Sequence, residues 1–190
     1  MKFTVTNYFD SLKIIFEKIK IEDIEKFISR VEKKFIENKK IITCGNGGSA
    51  YNASHFITDW NKMVNIATNK KFFGLSLCDN LGLITAYSND LDYGQIFSGQ
   101  LKCILSKDDL LICISGSGNS KNVKNALITS KKRGAITIGF LGNSGGEIKK
   151  IVDIPIIVRS TSTPRIQEVH RVVFHIMCEL VEKSLAEKSR

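Results

Sequence analysis

Five short apolar runs alternate with longer segments of helical periodicity, and this alternation constrains the fold more than any other feature of the sequence. The runs cover residues 40–44, 72–77, 109–114, 135–141 and 153–158. Nearly unbroken apolar strands are typical of parallel sheets, because both of their faces are buried. When such strands alternate with helices, the helices cover the two faces of the sheet. We therefore predict an α/β fold with a five-stranded parallel sheet flanked by helices.

The helical segments complete this organisation at both ends of the chain. In the second of them, Ile24, Phe27, Val31 and Phe35 recur at helical spacing. The predicted helices cover residues 6–19, 22–38, 49–62, a segment after Asn80, a segment ended by Gly134, and 164–187. With 190 residues, no repeat and no linker, the chain reads as a single domain over 1–190. It comprises N-terminal helices over 1–38 and an α/β core with a long C-terminal helix over 39–190.

Composition excludes several classes of protein. The formal charge is +9, but the lysines are spread along the chain and often stand beside acidic residues. Without a basic arm or an aromatic-basic motif, the charge predicts no nucleic-acid partner; it is typical of a solvated surface, with an anionic small-molecule partner as the alternative. No apolar run approaches the roughly 20 residues of a membrane span, and polar residues break the N-terminal segment, so no signal peptide is predicted. We therefore expect a cytoplasmic protein with no membrane partner.

Two loops rich in glycine and serine follow predicted strands and run directly into helices. They are GNGGS over 45–49 and SGSGNS over 115–120. Glycines allow the backbone to approach a ligand, while serine hydroxyls and helix N-terminal amides donate to phosphate oxygens. Neither loop has the lysine of a Walker motif or the GxGxxG spacing. The alternative is a pair of tight turns with serine helix caps. We favour a site for a phosphate monoester, because two such loops end two strands of one small sheet.

Three motifs in order carry a family resemblance: GNGGSA, SGSGNS and PRIQEVH. Together they resemble the sugar isomerase (SIS) fold and, within it, the phosphoheptose isomerases that supply heptose for lipopolysaccharide or capsule. The resemblance extends from about residue 40 into the C-terminal helix. It implies conversion of sedoheptulose 7-phosphate to D-glycero-D-manno-heptose 7-phosphate by a homotetramer whose active sites lie between subunits.

The resemblance also implies roles for individual residues. Asp90 matches an aspartate that contacts the sugar, and His175 matches the catalytic histidine. Zinc, which some members bind, would be held by His55, Asp59, Gln167 and His175. The positions matching substrate or phosphate contacts are Asn46, Gly47, Ser49, Asp90, Ser115, Ser117, Ser120 and Gln167.

The residues themselves can supply the chemistry that this resemblance implies. Aldose-ketose isomerisation through an enediol needs a base, an acid and stabilisation of the enediolate charge. His55 and Asp59 are four apart on a predicted helix, and Gln167 and His175 are eight apart on another, so each pair shares a face. We predict that Asp59 is the general base and His175 the general acid, with zinc or hydrogen bonds holding the enediolate. His170 is expected to be a supporting or surface residue rather than a ligand.

The chain departs from the family pattern at several positions. Asp59 stands where the family usually has glutamate, Gly116 replaces a threonine and Pro164 replaces an acidic residue. An arginine that members often carry after Asp59 is missing. Two alternatives therefore stay open beside the phosphoheptose isomerase. One is a non-catalytic SIS protein that binds a replication-initiator partner, and the other is a sugar-phosphate sensor or an isomerase of another ketose phosphate.

Overall fold

Five parallel strands form the centre of the molecule, as the alternating pattern predicts. The computed structural model describes residues 4–68 and 73–188. All adjacent strands pair in parallel, in the order β2-β1-β3-β4-β5. The strands are β1 Ile41–Gly45, β2 Gly74–Ser76, β3 Leu110–Ser115, β4 Ile136–Gly142 and β5 Ile154–Val158. The α/β class and the five-stranded parallel sheet are thus confirmed, although residue 72 of the second predicted strand lies outside the described residues.

Helices precede, connect and follow the strands. They are α1 Val5–Glu17, α2 Ile21–Ile36, α3 Gly48–Asp59, α4 Asn65–Thr68, α5 Leu81–Asp90, α6 Ile96–Ile104, α7 Lys121–Lys132 and α8 Thr163–Lys188. The single helix expected after Asn80 is in fact two, α5 and α6. The helix expected over 49–62 changes at Asp59 into a π-helical turn, Trp60–Val64. This wide turn accompanies full burial of Trp60, whose ring stacks on Phe56 and meets the edge of Phe35.

The two faces of the sheet bury separate clusters of apolar side chains. On β3, Leu110, Ile112 and Ile114 face the cluster covered by α2, α3 and α8, which contains Phe27, Phe56 and Phe174. The intervening Leu111 and Cys113 face the cluster covered by α6 and α7. This alternation follows from the period of two in a strand. The result is a three-layer α/β arrangement in which α3 and α8 pack together on one face.

The strand order determines where a ligand can bind. Strand β1 lies between β2 and β3, so the chain runs toward one edge of the sheet from β1 to β2 and toward the other edge from β3 onward. In open parallel sheets the crevice at such a switch point, beyond the carboxyl ends of the strands, is the usual ligand site. The two glycine-serine loops follow β1 and β3 and therefore lie side by side at this point. Within the described ranges, no helix is both long and apolar enough to cross a bilayer.

Candidate active site

The first loop brings backbone amides to the carboxyl end of β1. Gly47 has a φ of 55°, a conformation that favours glycine, and precedes α3 as its N-cap without a side-chain capping hydrogen bond. A Cβ on Gly48 would overlap with the side-chain amide of Gln167. Ser49 is buried in the first turn of α3. The loop therefore combines close backbone approach with a helix N-terminus that no side chain caps, as the phosphate-site interpretation requires.

The second loop presents hydroxyl groups at the start of α7. Ser120 is the N-cap of α7, yet its side chain makes no capping hydrogen bond. Its Oγ instead lies 3.2 Å from Oγ of the buried Ser115. Ser117 is exposed, and its Oγ accepts a hydrogen bond from the backbone N–H of Asn119. Ser120 therefore does not act as the helix cap of the alternative interpretation, and its hydroxyl can turn toward a ligand.

A pair of asparagines joins the two loops. Nδ2 of Asn46 donates to Oδ1 of Asn122 over 2.9 Å, and Nδ2 of Asn122 donates to Oδ1 of Asn46 over 2.8 Å. The hydroxyl of Tyr93 donates to the same Oδ1 of Asn46 over 2.9 Å. Sequence reasoning missed Asn122 and Tyr93. The available signal was Asn122 itself, a poor helix former at the second position of a helix directly after the serine-rich loop.

His55, Asp59 and His175 meet between α3 and α8. Oδ2 of Asp59 lies 3.0 Å from Nε2 of His55 and 3.5 Å from Nε2 of His175. The side chains of His55, Asp59 and His175 are 39%, 23% and 49% exposed, so a small molecule can reach them. Two residues of one helical face and one residue of a second helix thus form a single cluster, as the predicted roles require.

Gln167 and Asp90 lie apart from this cluster. The Gln167 side chain packs against Gly48, and its backbone carbonyl accepts a hydrogen bond from Asn52. It precedes His175 by eight residues, roughly 12 Å along α8. Asp90 is exposed on α5 and accepts a hydrogen bond from Asn89. In the described part of the chain, no hydrogen bond joins Asp90 to either loop. Their assigned roles in zinc and sugar binding stay predictions.

The cluster fits a zinc ion. One ligand atom each from His55, Asp59 and His175 lie within 4.8 Å of one another. Imidazole nitrogen and carboxylate oxygen are donors that zinc takes in proteins, and three protein ligands leave a position for water or substrate. The partial exposure of all three side chains keeps such a position accessible. The donor set is therefore suitable for the metal that the resemblance implies.

His170 is neither at the surface nor among the site residues. It is fully buried, with its Nε2 3.2 Å from the carbonyl oxygen of Leu141 and its ring against the edge of Phe140. Burial lowers its pKa to about 4, because the interior disfavours the charged imidazolium. Of the two expected roles, a supporting or a surface residue, the surface role is wrong, since position 170 falls on the stripe of α8 that faces β4 rather than on the stripe of His175.

Comparisons with known proteins agree on one family. The family profile described as "SIS domain" matches residues 7–142. Curated proteins named phosphoheptose isomerase include one from Clostridium acetobutylicum, 39% identical over 91% of this chain and 88% of the relative. Another, from Helicobacter pylori strain P12, is 40% identical over 81% of this chain and 80% of the relative. The solved phosphoheptose isomerase of Neisseria gonorrhoeae superposes with a TM-score of 0.87 and 30% identity, covering 94% of this chain and 97% of that one.

Proposed function

The chain belongs to the phosphoheptose isomerases of the SIS-domain family and is a sugar-phosphate isomerase, and we propose that it converts sedoheptulose 7-phosphate to D-glycero-D-manno-heptose 7-phosphate. In this proposal the reaction takes place in the cytoplasm and supplies heptose for lipopolysaccharide or capsule. The observation that carries the proposal is the Asp59 carboxylate held between the imidazoles of His55 and His175. A carboxylate and an imidazole in contact form the acid-base pair that an enediol isomerisation needs.

The phosphate group of the substrate binds at the two loops. Ser115, Ser117 and Ser120 donate from their hydroxyls, and the N-termini of α3 and α7 add backbone N–H groups and a favourable helix dipole. Because the loops carry no lysine, the site supplies neutral donors rather than cations. This favours a monoester phosphate at the end of a polyol chain over the crowded charge of a nucleotide polyphosphate.

Asp59 and His175 move the protons. Asp59 takes a proton from C1 of the ketose while His175 donates one to the carbonyl oxygen at C2, and an enediol results. Asp59 then returns its proton to C2, and His175 takes the proton of the C1 hydroxyl, which leaves the aldehyde of the aldose. Alternatively, His55, Asp59 and His175 would hold a zinc ion through the same side chains, and the ion would then stabilise negative charge on the enediolate oxygens.

The distances favour a site shared between copies of the chain. Asp59 follows Gly48 by 11 residues, roughly 16 Å along α3. This rise exceeds the extended length of a heptose phosphate, so one copy's loops and its own carboxylate are poorly placed to hold the two ends of one substrate. The separation supports the homotetramer with active sites between subunits that the family resemblance implies.

Turnover in deuterated water tests the proposed reaction. Purified protein is incubated with sedoheptulose 7-phosphate, with and without added zinc, and the sugar is followed by proton NMR. We expect an aldose 7-phosphate with deuterium at the reacting carbons, because the enediol exchanges its carbon-bound proton with solvent. If neither turnover nor exchange occurs, both with and without added zinc, the proposed substrate is overturned. A panel of other ketose phosphates would then identify the one that exchanges.

A further inference from the structure

The hydrogen-bond polarity around Asn46 is determined by one backbone amide. The N–H of Val123 donates to Oδ1 of Asn122 over 2.9 Å. A backbone N–H can only donate, so the atom it meets on Asn122 must be the oxygen and not the nitrogen. The side-chain orientation of Asn122, which is only 2% exposed, is thereby determined.

The orientation of Asn122 determines the orientation of Asn46 and the hydrogen-bond direction of Tyr93. Because Oδ1 of Asn122 also accepts from Asn46, the Asn46 atom facing it must be Nδ2. Oδ1 of Asn46 then accepts from Nδ2 of Asn122 and from the Tyr93 hydroxyl, which uses both of its lone pairs. The Tyr93 hydroxyl must therefore donate its hydrogen to Oδ1 of Asn46. What remains for a ligand is one N–H of Asn46 and the lone pairs of the Tyr93 oxygen.

We infer that Tyr93 binds a hydroxyl group of the sugar and not the phosphate, and that Asn122 is the positioning residue that gives it this polarity; the inference rests on the proposed function. A dianionic phosphate has no hydrogen to give, and the hydrogen of Tyr93 is already donated. A sugar hydroxyl can donate to the Tyr93 oxygen and accept from the free N–H of Asn46. Tyr93 is 54% exposed beside the first loop, so its oxygen is accessible to such a ligand.

Binding of two ligands to matched variants tests the inference. Calorimetry gives the Kd of sedoheptulose 7-phosphate and of inorganic phosphate for wild type, Y93F, N122A and the double variant. We expect Y93F and N122A each to weaken the sugar phosphate about tenfold, the effect of one lost hydrogen bond, and to leave inorganic phosphate within about twofold. The double variant is expected to have the same Kd for the sugar phosphate as the single variant that binds it more weakly, because both changes break the same chain of hydrogen bonds.

Asn125 provides the control. It lies one turn further along α7, and its Nδ2 donates to the carbonyl oxygen of Gly94, next to Tyr93. N125A removes a hydrogen bond to the same turn without touching Asn46, so we expect both Kd values to stay within about twofold of wild type. An equal loss in N125A would mean that the turn has merely loosened and would overturn the inference.

Two further results would also overturn it: weaker binding of inorganic phosphate in Y93F, or additive losses in the double variant. Since Tyr93 is largely exposed, Y93F does not endanger the fold, and the inference stays falsifiable even if N122A fails to fold. Turnover is recorded in parallel. Absence of turnover together with the expected binding pattern would contradict the proposed reaction alone, whereas normal turnover with unchanged sugar binding in Y93F would contradict this inference alone.

Discussion

The carboxylate of Asp59 contacts two imidazoles although its side chain is one methylene shorter than the glutamate of the family pattern. His55 lies one turn earlier on α3, and His175 comes from α8, which packs on α3. Asp59 is also the last residue before the π-helical turn, a feature that occurs frequently at functional sites. The backbone at this turn therefore contributes to placing the shorter side chain against both imidazoles. The substitution does not by itself argue against catalysis.

Changing Asp59 separates its charge from its length. We expect D59N to lower kcat about 10²- to 10⁴-fold, because it removes the base at constant shape. D59E keeps the charge but moves the carboxylate about 1 Å, and we expect a loss of up to about 10²-fold. E179Q removes an exposed carboxylate one turn beyond His175 and serves as the control, with an unchanged rate. Near-normal kcat in D59N, measured by aldose formation, would remove Asp59 from the mechanism.

Sequence spacing relates only residues that share one helix. Positions 55 and 59 are four apart, which was enough to assign them to one face of α3. The contact of Asp59 with His175 depends on the packing of α3 against α8, and the pairing of Asn46 with Asn122 joins loops 76 positions apart. Periodicity carries no information on such separations. This is why the shared face of His55 and Asp59 could be predicted from spacing, while the contact with His175 and the asparagine pair could not.

Buried His170 makes stability depend on pH. Its pKa is lowered from 6.5 to about 4 in the folded protein. Below pH 6.5 the imidazole of His170 is protonated in the unfolded chain but stays neutral in the folded protein. Its contribution to the free energy of unfolding is therefore fully present above pH 6.5 and is lost progressively as the pH falls toward 4. Between pH 7 and pH 5 the loss is about 2 kcal/mol.

Denaturant unfolding of wild type and H170Q at both pH values measures this contribution. H170Q lacks the titrating group, so its stability is expected to fall by about 2 kcal/mol less than that of wild type over the same interval. The histidines at positions 55 and 175 are present in both proteins and cancel in the difference. Parallel pH profiles for the two proteins would show that His170 does not titrate as its burial predicts.

At the scale of the elements, the amino ends of β1 and β3 are joined by one buried carboxylate. Asp109 is 1% exposed and accepts hydrogen bonds from the backbone N–H groups of Lys40 and Ser106 over 3.0 and 2.7 Å. Nζ of Lys40 lies 2.9 Å from the same side chain. Asp109 thus connects the starts of two central strands, at the opposite end of the sheet from the glycine-serine loops.

Removing this carboxylate is expected to reduce stability without changing ligand binding. D109A leaves two backbone N–H groups and a lysine without their acceptor, and we expect the free energy of unfolding to fall by about 3 kcal/mol. K40M removes only the partly exposed ammonium and is expected to cost about 1 kcal/mol or less. Denaturant unfolding gives both values. A Kd for inorganic phosphate that changed in D109A would show that the two ends of the sheet are coupled.

The positions of the strands in the chain were predictable from the sequence, but the order in which they pair in the sheet was not. Apolar runs bounded by loops gave all five strands to within one or two residues over the part that the structure describes. The order β2-β1-β3-β4-β5 depends on which side of β1 each connection crosses, and the sequence pattern is the same for either side. The π-helical turn at Trp60–Val64 was likewise invisible, because one extra residue in a turn leaves the helical periodicity around it nearly intact.

At the scale of the whole molecule, α8 presents an apolar stripe to solvent. Val172, Ile176 and Leu180 follow one another at intervals of four residues and are 38%, 41% and 48% exposed. The stripe runs directly beside His175. A second copy of the chain that covered it would bury apolar surface and approach the His55–Asp59–His175 cluster, in agreement with the proposed homotetramer.

A charge placed in this stripe tests the proposed assembly. L180K puts an ammonium where a partner's apolar surface is expected, so we predict a smaller particle by sedimentation equilibrium and loss of most turnover, because each site would lack its neighbouring copy. I128K is the matched control, since Ile128 is 42% exposed on α7, whose core lies on the opposite face of the sheet. If L180K kept the mass and the rate of wild type while circular dichroism showed a folded chain, α8 would not be the surface that completes the active site.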